Sequence, residues 1–173
     1  MDKAHFPILI NLLRGVNKVM DADLHESAKS VDLTLTELNF LWTIFYEGEP
    51  TVSRMAELTL LDSSTVTQVL NRLKNKKLIS SYKKKEDTRF SYVKLTDKGN
   101  EKRKLSMNNR NALFDFLQKE MEIPGEKEKI QITLDYLKKI NLYFHGENFV
   151  NWAYSLPIKL NEDFIKNQNQ TKS

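Results

Sequence analysis

The chain has 173 residues, no cysteine, 27 Lys or Arg against 23 Asp or Glu, and 40% hydrophobic residues. Without cysteine there are no disulfides, thiolate zinc sites or thiol redox sensors, and the length suits one domain, or one domain plus a dimerisation layer. No apolar run reaches the roughly 18 residues of a membrane helix and no secretory leader opens the chain, so a soluble cytoplasmic protein is expected.

Residues 6–28 place Phe6, Leu9, Leu13, Val16, Met20 and Leu24 at steps of three and four, the spacing of one helix face. Gly15 costs such a helix about 1 kcal/mol relative to Ala, so docking against a partner helix is expected to hold it. Thr34 and Glu37 have the spacing of a capping box, although Thr36 is an equally good cap. The helix they open carries Leu38, Leu41, Trp42 and Phe45 and stops near Gly48, with Pro50 beyond. Trp42 and Phe45 share the spacing of Leu38 and Leu41 and are expected in the core; a ligand pocket is the alternative.

A short helix over 52–59 offers Met55, Ala56 and Leu58 for burial, and Asp62 or Ser63 caps the next helix. That helix has Val66, Val69, Leu70 and Leu73 as its inner face. The turn between the two contains Leu60 and Leu61 and no glycine, which does not indicate a tight turn. Strands are expected over 78–83 and 90–95, joined by a basic tip at 84–89. Thr96 then caps a helix running to about Met121, with Asp97 in its first turn. A break at 123–125 precedes a last major helix ending near Gly146, a short added helix stopped by Pro157, and a polar, disordered tail from Asn167.

Short helix, turn, longer helix and two strands around a basic tip make a winged helix-turn-helix. The fold class expected is mainly α with a small β-wing. Its division is an N-terminal dimerisation helix (1–33), the winged DNA-binding domain (34–99), C-terminal dimerisation helices with an extra segment (100–166) and the tail (167–173). Charge supports this reading: residues 71–104 hold 13 Lys or Arg against 4 Asp or Glu, leaving the rest of the chain net acidic. A basic stripe coinciding with a helix-turn-helix points to double-stranded DNA.

A helix in the major groove reads base edges from its first turns, which makes Ser63, Ser64, Thr65, Thr67 and Gln68 the outward candidates, followed by Arg72. Gln68 has the amide geometry for adenine, and Thr methyls can touch thymine. Arg89, with Lys83, Lys84 and Lys85 near it, suits the narrow and negative minor groove. Asp87 is expected to pair with Arg72 or Arg89 and so orient the wing.

The run LDSSTVTQVLNRL at 61–73 resembles the recognition helix of MarR-type regulators, and Asp87-Thr88-Arg89 followed by VKLTDKG at 93–99 resembles their wing signature. The likeness spans about 34–104. It implies a homodimeric transcription regulator, most often a repressor, bound to a palindromic promoter site, with a small-molecule effector pocket between the dimer layer and the DNA-binding lobe. The extra segment 147–166 resembles that of the branch of protease-production and sporulation repressors. The chain departs from the family pattern at Gln68, where arginine is frequent, at Lys77, where glycine is usual, and at Ser81, where a basic residue is frequent.

An enzyme is not expected. His5, His25 and His145 have no ligand spacing, and no phosphate loop, nucleophile elbow or HExxH run is present; no cofactor or metal is called for. The rival reading is a winged adaptor, binding protein or ligand without specific DNA recognition.

Overall fold

The computed structural model describes residues 3–85, 88–109 and 111–170, with side chains to residue 160. It is mainly helical with one two-stranded sheet. The elements are α1 (His5–Lys29), α2 (Leu35–Glu47), α3 (Val52–Thr59), α4 (Ser63–Asn75), β1 (Ile79–Tyr82), β2 (Tyr92–Leu95), α5 (Asp97–Leu105), a 3-10 turn (Ser106–Asn108), α6 (Ala112–Glu120) and α7 (Glu126–Gln170).

The capping box at the start of α2 forms. The Thr34 hydroxyl accepts from the Glu37 N–H at 3.2 Å, and Glu37 Oε2 accepts from the Thr34 N–H at 2.9 Å. The core is built where α2, α3, α4 and the strands meet: Phe40, Leu41, Ile44, Met55, Val66 and Leu73 are wholly buried, and Ala28 and Val31 join them from α1 and its exit. Full burial of each large apolar side chain is worth about 1.5–3 kcal/mol. This packing extends past residue 33, so the lobe draws on the end of α1 as well as on 34–99.

Trp42 packs against the rim of that core and Phe45 lies outside it. Both are half-buried, and they enclose Arg103, whose guanidinium carbon lies 4.7 Å from the Trp42 ring centroid and 3.6 Å from that of Phe45. Helical spacing named the correct side of α2 but not its edge. Leu38, Phe40, Leu41 and Ile44 occupy the centre, and the Trp42 and Phe45 rings flank it.

The helix expected from Thr96 to Met121 is broken. Ser106 and three asparagines supply the reason, because short polar side chains compete for backbone partners. The Ser106 hydroxyl donates to the Arg103 carbonyl, Asn109 Nδ2 donates to the Ser30 hydroxyl at 2.7 Å, and Asn111 Oδ1 caps α6 by accepting from the Phe114 N–H.

α7 also differs from expectation. It bends at Gly146, whose φ of 78° and ψ of 177° are open essentially to glycine alone. The helix then continues through Pro157 to Gln170, so neither a stop at Pro157 nor a disordered stretch from Asn167 is observed; residues 171–173 lie outside the described residues. A proline inside a helix costs about 3 kcal/mol. Here the second arm is held on both sides. Val150 is buried, and Val150, Ala153, Tyr154 and Pro157 share an apolar cleft of about 320 Å³ with Leu134 and Leu137 of the first arm. Lys159 Nζ donates to the Tyr46 carbonyl on α2.

Along α1, by contrast, Phe6, Ile8, Leu9, Leu12, Leu13, Val16 and Val19 remain between 41% and 65% exposed. Among the described residues no helix is long and apolar enough to cross a membrane.

Candidate nucleic-acid interface

The turn from α3 to α4 is only three residues long. Leu60 takes the left-handed conformation (φ 56°) that a glycine would adopt without strain, so the turn is tight after all. α3 is braced from behind by Arg54, whose Nε donates to Glu47 at 2.8 Å and whose Nη1 donates to Glu57 at 2.7 Å. This brace lifts the Arg54 guanidinium further above its usual range, chiefly through the hydrogen bond to Glu47.

Asp62 caps α4. One carboxylate oxygen accepts from the Ser64 and Thr65 N–H groups at 3.0 and 2.9 Å; the Ser64 and Thr65 hydroxyls each donate to the carboxylate at 2.6 Å. The two hydroxyl bonds hold the Asp62 carboxyl well below the usual carboxylate range, with the Thr65 backbone contributing further. Two consequences follow. The positive end of the helix dipole is already occupied by an anion of the protein itself. The protons of Ser64 and Thr65 point to Asp62, and the Thr67 hydroxyl proton points to the Ser63 carbonyl at 2.8 Å.

Val66, Val69, Leu70 and Leu73 bury the inner face of α4 as expected, which turns Ser63, Ser64, Thr67, Gln68 and Arg72 to the exposed side; Thr65 is half-buried. The far end is anchored by a contact that sequence reading missed. Lys76 Nζ donates to Glu37 Oε2 at 2.8 Å, and the Glu37 side chain is 2% exposed. Burial alone would raise the Glu37 pKa. The Lys76 hydrogen bond, the Thr34 N–H and the charges of Lys76 and Arg72 outweigh it, and the group sits below its ordinary value.

Lys77 follows in the left-handed region (φ 59°), so the chain turns here without the usual glycine. Next to it the Thr96 hydroxyl donates to the Lys77 carbonyl at 2.9 Å and accepts from the Gly99 N–H at 3.1 Å. A Cβ on Gly99 would lie 2.0 Å from the Leu78 carbonyl oxygen. The Leu-Thr-x-x-Gly run therefore has a physical meaning: it knots the exit of α4 to the entrance of α5 and fixes where the wing departs.

β1 and β2 pair antiparallel from Ile79 with Leu95 to Tyr82 with Tyr92. The wing and α4 face each other across a cleft of about 100 Å³, with Thr67, Asn71 and Lys74 on one wall and Ser81 and Ser91 on the other. At the tip, Lys83, Lys85 and Arg89 are exposed, and the Arg89 guanidinium lies 5.6 Å from the Phe90 ring centroid. Lys84 behaves differently. It is half-buried, with Nζ 3.2 Å from Glu49 Oε2 and 4.3 Å from the Tyr92 ring centroid. Asp87, expected to orient the wing, lies outside the described residues.

Residues 24–105 match a family described as the SarA/Rot transcriptional regulators. The Hpr transcriptional regulator of Geobacillus thermodenitrificans is 25% identical over 162 residues, covering 91% of this chain and 79% of that protein. The YdgJ regulator of Bacillus subtilis is 27% identical over 128 residues, covering 74% of each. In fold, the chain resembles MarR of Oenococcus oeni (TM-score 0.60, 25% identity, 76% of this chain and 97% of that one). It also resembles a MarR variant of E. coli solved with operator DNA (TM-score 0.63, 22% identity, 79% of this chain and 99% of that one).

Proposed function

We propose that this chain is a MarR-type winged helix-turn-helix transcription regulator, a homodimeric repressor that binds a palindromic promoter site; the regulator family matched over 24–105 and the MarR-like fold support that reading. It is a DNA-binding regulator rather than an enzyme, as are the relatives and structural neighbours named above. The observation that carries the finer reading is the pairing of one exposed recognition face with one basic wing across a shared cleft. A fully buried inner face on α4 leaves Gln68 and Arg72 projecting outward.

In this reading α4 enters the major groove. Gln68 pairs with adenine through its amide, the Thr67 methyl touches thymine, and Arg72 takes phosphate or guanine. Ser64 and Thr65 support Asp62 and keep the helix end rigid, since their hydroxyl protons are already engaged; Ser63 stands exposed at the first position of α4. Asp62 blocks a phosphate from the helix terminus, so attraction to the backbone comes from the wing. Lys83, Lys85 and Arg89 supply it, with Arg89 in the minor groove.

The apolar length of α1 supports the dimer. Contiguous apolar patches beyond a few hundred Å² are rare on soluble monomers, and a second copy is the occupant that also sets two recognition helices about 34 Å apart. An effector would sit in the cavity of about 450 Å³ lined by Phe40, Trp42, Tyr46, Leu61 and Trp152. There the Trp152 Nε1 is buried with no hydrogen-bond partner among the described residues. Both tryptophans of the chain line this cavity, so their fluorescence reports on occupancy directly.

Selection of bound DNA from a random pool tests the function. Enrichment of an inverted repeat with half-site centres about 10 base pairs apart is expected. Enrichment of a lone half-site would remove the dimeric reading. No enrichment at any salt concentration would favour the adaptor.

A further inference from the structure

The base of the wing holds a polar-aromatic cluster that DNA recognition does not itself require. Tyr82 and Tyr92 are register partners across the hairpin, with ring centroids 6.0 Å apart. Lys84 lies over the Tyr92 ring, and Lys94 Nζ lies 5.3 Å from the Tyr82 centroid. Glu49 closes the cluster: its carboxylate accepts from the Tyr82 hydroxyl and pairs with Lys84. Glu49 is itself fixed to the sheet. The next residue, Pro50, accepts from the Val93 N–H through its carbonyl at 3.0 Å, and Thr51 bridges to Tyr92. One carboxylate beside the outer edge of β2 therefore reaches Tyr82 and Lys84 on the first arm of the hairpin, and Lys84 in turn lies over Tyr92 on the second.

We propose that Glu49 is a positioning residue for the wing, clasping Lys84 and Tyr82 so that Lys84 braces the hairpin base while Lys83, Lys85 and Arg89 are presented to DNA. The proposal rests on the wing being a DNA contact, and it separates Lys84 from the two lysines beside it. Each exposed contact of this kind is weak by itself. Here the Glu49 carboxylate takes both an ion pair from Lys84 and a hydrogen bond from Tyr82, and the same Lys84 ammonium lies over Tyr92, so loss of the carboxylate loosens all three together. The Tyr82 hydroxyl is pushed up to about 12, first by its hydrogen bond to Glu49 and then by its surroundings. It therefore remains a donor to Glu49 throughout the neutral range.

Two measurements on the full chain test the clasp. The first needs no DNA: acylation of lysines near neutral pH, read residue by residue by mass spectrometry. Lys84 should react several-fold more slowly than Lys83 and Lys85, and E49Q should bring it level with them. Equal rates in the unaltered protein would overturn the clasp whatever the protein binds. The second is the salt dependence of affinity for the selected DNA site.

E49Q and K84A should each weaken binding about fivefold. Neither should change the salt slope, and the double variant should lose no more than either alone. R89A should lower the slope by about 0.9, the value for one phosphate neutralised. A K84A slope lowered by that same amount would make Lys84 a phosphate contact and overturn the proposal. Tighter binding with a steeper slope in E49Q would do so too, because Glu49 would then withhold Lys84 from DNA. Slow Lys84 acylation in a protein that binds no DNA would leave the contact standing, but it would remove both its role and the DNA-binding reading.

Discussion

In the winged lobe, Phe40, Leu41, Ile44, Met55, Val66 and Leu73 have no exposed surface, whereas along α1 Phe6, Ile8, Leu12 and Val16 keep half or more of theirs. The side chains are of the same kind, and both regions are helical. The difference lies in what closes each surface. The lobe has three short helices and a hairpin, and an ion pair to the buried Glu37 carboxylate and a glycine-tight knot fix their ends. α1 is one long helix that meets α2, α6 and the 3-10 turn, for example where the Leu113 N–H donates to Asp23 Oδ2 at 3.1 Å, and leaves its apolar N-terminal length exposed. A lobe of this kind holds its shape within one chain, while in the proposed dimer the terminal helices are half of an interface. Stability and spacing are thus assigned to different parts of the molecule.

The strongest way to break this comparison is to remove residues 1–24. Ala28, Val31 and Leu33 stay in place, so the lobe keeps its core. The truncated protein should sediment as a monomer with a cooperative thermal transition retained. Its affinity for a full palindrome should fall by about 100-fold or more, since two linked half-sites commonly gain that much over one. A truncated protein that still sediments as a dimer would place the interface in α6 and α7 alone.

Second in size is G99A. The added methyl meets a backbone carbonyl that cannot rotate away, at 2.0 Å. A loss of about 3 kcal/mol is expected, at the upper end for overpacking, measured by urea denaturation at low concentration. The protein that remains folded should still dimerise. Equal losses of lobe stability and of association would mean that the two regions are not independent.

Glu37 provides a smaller and reversible probe of the lobe. Its folded pKa lies below its unfolded value of about 4.3. The stabilisation it provides is therefore complete above that unfolded value and is lost as pH falls through the folded one. The thermal midpoint of the unaltered protein should drop on acidification from pH 5 to 3 more than that of E37Q. Identical slopes would show that the Lys76–Glu37 pair does not anchor α4.

What could be read from sequence divides along the same line. The inner face of α4 was legible because Val66, Val69, Leu70 and Leu73 repeat at helical spacing and all are buried. The capping box was legible because both partners lie within four residues. The break before α6 was present in Ser106, Asn109 and Asn111, but the apolar period that runs through Leu105, Ala112 and Phe116 hid it. The clasp could not be seen at all. Lys83, Lys84 and Lys85 are alike as letters, and only the hairpin register puts the middle one beside Glu49 and Tyr92. The DNA-facing roles of Thr67, Gln68 and Arg89 rest on exposure and chemistry; the selection experiment decides them.

The smallest expected effect concerns the two turns that bound α4. Leu60 and Lys77 both occupy the left-handed region, yet only Lys77 stands where the family pattern has glycine. The left-handed conformation costs a residue with a Cβ about 1–2 kcal/mol. Glycine would relieve that cost but carries roughly 0.5–1 kcal/mol more backbone entropy in the unfolded chain. K77G should therefore stabilise the lobe by only about 0.5 kcal/mol, a rise of about 1–2 °C in the melting temperature for a chain of this length. Dimerisation should not change, because Lys77 is exposed in a turn of the lobe and is no part of the exposed apolar length of α1. A clear loss of stability would instead give the Lys77 side chain a role in the knot with Thr96 and Gly99, one that the backbone geometry alone does not supply.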